Sequence, residues 1–162
     1  MQFKELYELQ AGLDQEIHKL HNTNYQKTMK ERTLAFIVEL GEFANETRCF
    51  KYWSLKGPSA RDVILEEYID GLHFILSLGL AIHYDTNAIF EPIVSNMSLT
   101  EDILKTYELA SSFNNNVSFT SYNLLFNTFL GIGVKLGFDE TDLKEAYYAK
   151  NNINHQRQHN NY

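Results

Sequence analysis

Two short acidic pairs, Glu39-x-x-Glu42 and Glu67-x-x-Asp70, are separated by 24 residues. A spacing of three puts both carboxylates of a pair on one face of a helix, and Glu46 carries the first face on by a further turn. Each pair sits in apolar sequence: Leu34-Ala35-Phe36-Ile37-Val38 precedes the first, and Leu72-His73-Phe74-Ile75-Leu76 follows the second. Like charges at this spacing cost on the order of a few tenths of a kcal/mol on an exposed helix. On a helix that is apolar nearly all round the cost is larger unless a cation compensates. One Glu-x-x-Glu alone reads as a solvated helix face. Two of them on helices joined by a short connection, and so antiparallel neighbours, can set four carboxylates against one another across an interface. Hard oxygen ligands of that kind suit Mg²⁺, with Mn²⁺ able to substitute. A di-iron bundle would need Glu-x-x-His on two helices. Asp70-Gly71-Leu72-His73 approximates that motif once, and no second copy exists in the helical segments.

Near the C-terminus Lys150, Asn154 and Arg157 follow one another at spacings of four and three, so a continuing helix presents them on one face. Cations there suit the end of a helix dipole, and the same trio could also grip phosphate oxygens, with Arg as a bidentate fork. Trp53 stands in a loop with Lys51 and Lys56. It reads either as a core plug or as a flat face for a base to stack on. His73, on an apolar face, is by default a satisfied core histidine.

These residues need elements to position them. Apolar residues at helical spacing predict helices over about 3–21, 28–48, 60–83, 100–113, 120–136 and 139–154. Ser59 is a candidate N-cap for the third helix, and Asp139 or Thr141 for the sixth. Residues 84–100, with Pro92, read as irregular. No strand alternation, internal repeat or linker interrupts the pattern. The expectation is one all-α domain over 1–162, a bundle of about six helices.

Composition narrows the function. The 14 Lys+Arg against 21 Asp+Glu leave a net charge of −7, which repels nucleic-acid phosphates and anionic lipid. The single cysteine, Cys49, excludes an intrachain disulfide and a Cys-rich zinc site. The longest apolar run, about Gly71 to Ile82, falls short of the ~20 residues a membrane span needs. Charge appears at once in Met1-Gln2-Phe3-Lys4-Glu5, unlike a signal peptide. A cytoplasmic protein with no nucleic-acid or membrane partner is expected.

The acidic pairs, at this separation, resemble the metal signature of the all-α nucleoside triphosphate pyrophosphatases, the MazG-like superfamily. More narrowly, the chain resembles the dimeric dUTPases of bacteria and phages. The matching stretches are Glu39-Leu40-Gly41-Glu42-Phe43-Ala44-Asn45-Glu46, Phe50-Lys51-Tyr52-Trp53, Glu66-Glu67-Tyr68-Ile69-Asp70-Gly71-Leu72-His73-Phe74, and the tail Lys150-Asn151-x-x-Asn154-x-x-Arg157-Gln158. One departure is Asn161-Tyr162 where the family usually closes with Gly-Tyr. The resemblance implies a homodimer that hydrolyses dUTP to dUMP and pyrophosphate, and it leaves open whether dUDP is a substrate too. It implies two or more Mg²⁺ held by Glu39, Glu42, Glu67 and Asp70, with metal-activated water attacking the α-phosphorus and Glu39 or Glu46 orienting it or taking its proton. Lys150, Asn154 and Arg157 would grip the phosphates and order over them, and Lys51 and Tyr162 would be further substrate-binding residues, the departure at Asn161-Tyr162 bearing on the last. Gln10, Asp14, Trp53 and His73 would meet the base or sugar. The rival readings are a MazG-like pyrophosphatase for dCTP or a damaged dNTP, and a helical binding or regulatory protein without turnover.

Overall fold

A computed structural model describes residues 1–160; the expectation for Tyr162 lies outside the described residues. Six helices occupy most of them: α1 (Lys4–Leu20), α2 (Met29–Thr47), α3 (Arg61–Ala81), α4 (Leu99–Asn115), α5 (Phe119–Lys135) and α6 (Glu140–His159). An isolated bridge between Gln2 and Ile89 is the one strand-like pairing among the described residues. The all-α expectation holds, with bounds close to those the periodicity predicts except that α6 runs on to His159.

Contacts in sequence order show that α2 and α3 are antiparallel. Ser59 meets Glu46, Phe43 packs on Tyr68, and Arg32 reaches Ser77. The reversal follows from the end of α2, where Arg48 adopts a left-handed conformation (φ 57°). Its guanidinium then ties the loop together, with Nε donating to the Lys56 carbonyl at 3.0 Å and Nη2 to Ser54 Oγ at 2.7 Å. Ser59 does not cap α3. The N-cap is Ala60, without a side-chain hydrogen bond, because the Ser59 hydroxyl donates to Glu46. Asp139 does cap α6, and Ser98 and Ser118 cap α4 and α5. Each accepts from a backbone N–H that helix geometry leaves unpaired.

The core is aromatic. Tyr68 stacks on Phe129 with ring centroids 4.3 Å apart, and Phe36 meets the same ring edge-on. The irregular stretch after α3 is a strap across α5. The Glu91 and Ile93 amides donate to Asn127, at 3.0 and 2.8 Å; Lys135 Nζ fastens the strap's end by donating to the Met97 carbonyl at 2.7 Å and to Ser95 Oγ at 3.2 Å, and it pairs with Asp102 of α4. Gly131 permits this approach, since a Cβ there would lie 1.9 Å from the Ile93 carbonyl oxygen.

Candidate active site

On the α2–α3 interface, carboxylate oxygens of Glu39, Glu67 and Asp70 lie within 4.8 Å of one another. The helical spacing of three brings Glu67 and Asp70 together on α3, and the antiparallel packing carries Glu39 across from α2. Glu42 is exposed and is not one of the converging three, but its charge reaches Glu39. Burial first, then Asp70, Glu42 and Glu67, push the Glu39 carboxyl up to about 7. Burial also raises Glu67, with Asp70 and Glu42 adding to it. Burial raises Asp70 as well, against the pull of Lys150. Lys150 Nζ lies 2.7 Å from Asp70 Oδ2 and 2.9 Å from Glu66 Oε1. Burial lowers the affinity of that ammonium for its proton, but the bonds to Asp70 and Glu66 outweigh it, so its pKa is raised.

Beside the cluster opens a cavity of about 470 Å³, within the ~300–1,000 Å³ usual for small-molecule sites. Successive turns of α3 line one wall with Asp70, His73, Phe74 and Ser77. Seven residues of helix span about 10 Å, so the cavity joins the carboxylates at one end to a second polar group at the other. There Asp14 is buried. Its Oδ1 accepts from Gln10 Nε2 and from Arg32 Nη1, both at 3.0 Å, and its Oδ2 from Ser77 Oγ at 2.6 Å. Gln10 Oε1 in turn accepts from the Tyr147 hydroxyl at 2.6 Å and faces His73 Nδ1 at 2.9 Å. Because Asp14 takes the amide nitrogen of Gln10, the amide oxygen must face His73, which puts the imidazole proton on Nδ1. Burial, with Lys150 adding to it, pushes His73 down to about 3, so the ring is neutral. Its Nε2 is buried with no hydrogen-bond partner among the described residues.

From α6, Asn154, Arg157 and Gln158 line the same cavity, and His155 Nδ1 meets Glu16 of α1 at 2.5 Å. The fold therefore gathers Gln10, Asp14, Glu39, Asp70, His73, Asn154 and Arg157 around one space, with Glu67 and Lys150 at the carboxylate cluster. It does not bring Lys51, Trp53 or Glu46 there. Trp53 is 65% exposed, edge-on to Phe50 and Tyr52, and Lys51 bonds Asn45. Glu46 accepts from Ser59 and from Asn45 Nδ2, and the Ser59 bond foremost holds its carboxyl below the usual range. Gln10 and Asp14 reach the cavity wall but are engaged largely with protein groups. Arg32, Ser77 and Tyr147 are site residues that motif reading misses. Arg32 lies seven residues before Glu39 and Ser77 seven after Asp70, two turns along the same helix faces, and that offset was the available signal.

An all-α bundle that gathers carboxylates at one end of a largely apolar cavity, with a buried polar group at the other, belongs to a class built to hold a small ligand beside concentrated negative charge. The comparisons narrow the class: a family model described as dUTPase matches residues 2–162, and the chain belongs to that family. Its members are dUTP diphosphatases, and this chain is a hydrolase of that kind. A search of curated proteins finds no match. No helix among the described residues is long and apolar enough to cross a membrane.

Proposed function

We propose that the chain acts as one domain and hydrolyses dUTP to dUMP and pyrophosphate in this cavity with Mg²⁺ as cofactor. The observation that carries the reading is the convergence of Glu39, Glu67 and Asp70 within 4.8 Å at one end of the cavity. Three hard oxygen donors fit a divalent cation. Burial foremost, with neighbouring carboxylates adding to it, pushes all three carboxyls up, and a cation bound there would stabilise their charged forms. Glu42, one turn from Glu39 and near enough for its charge to raise that carboxyl, is the fourth ligand that the family resemblance adds, although it stands outside the converging three. When bound, the metal supplies charge neutralisation at the phosphate oxygens and lowers the pKa of water.

The protein's own groups do the rest. Glu39 lies at the cluster and is the better candidate to orient the attacking water and take its proton; Glu46 is engaged by Ser59. Lys150, Asn154 and Arg157 stabilise charge on the leaving phosphates. The neutral His73 and the Gln10–Asp14 end receive the deoxynucleoside, and the walls exclude bulk water from it. Trp53 lies outside its own cavity, so a stacking role requires the cavity of a second copy, which ties that role to a homodimer. Exposed apolar side chains support the dimer: Leu34 and Val38 on α2, Leu104 on α4, and Tyr52 and Leu55 in the loop.

The test is pyrophosphate release from a panel of dUTP, dCTP, dTTP and oxidised dNTPs, with and without Mg²⁺. Turnover confined to dUTP and dependent on Mg²⁺ is expected. Preference for another nucleotide would make the chain a pyrophosphatase of different specificity. Asp70→Asn should abolish turnover while keeping the helical circular-dichroism signal, and Glu42→Gln should lower it severely. Near-normal activity in Asp70→Asn would refute the metal assignment.

A further inference from the structure

Lys150 draws on a carboxylate that the metal also needs. Its Nζ, on a side chain 9% exposed, sits 2.7 Å from Asp70 Oδ2 and 2.9 Å from Glu66 Oε1. Asp70 is one of the three carboxylates that converge within 4.8 Å. The ammonium thus already supplies positive charge beside the cluster. A divalent ion arriving among these oxygens meets a like charge at close range, in a partly buried setting where repulsion is weakly screened. Both cations cannot keep the same carboxylate at full strength.

We infer that Lys150 is the built-in counter-ion of the metal-free site, and that a divalent ion entering beside Glu39, Glu67 and Asp70 displaces its ammonium from Asp70 and frees it for the phosphates of the nucleotide. The inference rests on the metal reading above and goes beyond it by coupling metal loading to the position of α6.

The coupling follows from how α6 is held. Tyr147, fully buried, anchors the helix through Gln10 and stacks on His73 with centroids 4.0 Å apart. Beyond it the Lys150 ion pairs fasten α6 to α3, and His155 meets Glu16 on α1. The segment after Lys150 carries Asn154 and Arg157, which line the cavity. Releasing Lys150 from Asp70 therefore loosens this cavity-lining segment while Tyr147 keeps the rest of α6 docked. Metal binding eases entry of the nucleotide, and its phosphates, by recapturing Lys150, draw the segment closed.

Hydrogen exchange of the full chain tests this without turnover. Mg²⁺ alone should speed exchange of the amides from about residue 151 to 159 several-fold. Mg²⁺ with a non-hydrolysable α,β-imido analogue of dUTP should slow it below the metal-free level. In Lys150→Met the same amides should exchange fast without metal and respond no further to Mg²⁺, and calorimetry should give tighter Mg²⁺ binding than in the unchanged protein. Lys150→Arg should restore both behaviours. If Mg²⁺ binds the unchanged protein but leaves α6 exchange as it was, or binds Lys150→Met no more tightly, the exchange of cations is overturned while the metal reading stands. If the unchanged protein binds no Mg²⁺, the metal reading falls, and this inference with it. The unchanged protein carries the test alone if Lys150→Met fails to fold.

Discussion

Glu39 concentrates the electrostatics of the site. Its carboxyl is held at about 7 in the folded, metal-free protein against an ordinary 4.5. An acid raised on folding binds more protons folded than unfolded between those two values. It therefore costs no stability below about pH 4.5, costs more as pH rises through the window, and costs most above about 7. His73 works with the opposite slope. Lowered to about 3, it penalises the fold at low pH and ceases to do so above about 6.5. The two overlap, so the contribution of Glu39 is read by difference. Glu39→Gln should raise the metal-free Tm at about pH 8 and leave it nearly unchanged at about pH 4. Saturating Mg²⁺ should raise the Tm of the unchanged protein more than that of the variant, because the metal stabilises the charged carboxylate. Thermal melts of both proteins across that pH range, with and without Mg²⁺, check the sign. A stabilisation of equal size at both pH values would exclude the electrostatic account.

Helices position the site through a few close approaches. The strap of residues 84–98 lies on α5 only because Gly131 has no side chain; a Cβ there would meet the Ile93 carbonyl at 1.9 Å. Backbone on both sides leaves little room to yield. Gly131→Ala should cost roughly 1–3 kcal/mol in denaturant unfolding, the range for overpacking a tight core, and should loosen the strap. Ser98→Ala removes a reciprocal cap of α4 and should cost about 1 kcal/mol. A smaller loss at Gly131 than at Ser98 would show that the strap can lift without penalty.

Taken whole, the molecule leaves apolar surface on α2, α4 and the loop between α2 and α3, including Leu34, Val38, Leu104 and Leu55. Leu34 and Val38, one turn apart on α2, share a face; contiguous apolar exposure marks an interaction surface, and the homodimer proposed above would cover it. Sedimentation should show a species of twice 18.9 kDa. Leu34→Glu combined with Val38→Glu should convert it to the single-chain mass with helical content retained. A single-chain species for the unchanged protein in dilute solution would exclude the dimer and, with it, the stacking role of Trp53.

Helical periodicity and the acidic spacings were readable in order along the chain. A repeat of three or four residues belongs to the helix itself, so the six helices and the facing of Glu67 with Asp70 needed no partner to be visible. The family resemblance, too, was carried by contiguous motifs. What only the tertiary structure decided were relations between elements. Glu39, not the equally acidic Glu42, turns inward, because Phe36, Leu40 and Phe43 set which side of α2 meets α3. Ser59 serves Glu46 instead of α3, because the loop brings the two side chains together across 13 positions. Arg32, Ser77 and Tyr147 join Gln10, Asp14 and His73 in one hydrogen-bonded group although they come from four helices. Periodicity assigns a residue to a face. Packing alone determines what that face meets, and with it which charges are buried, paired or left open to a ligand.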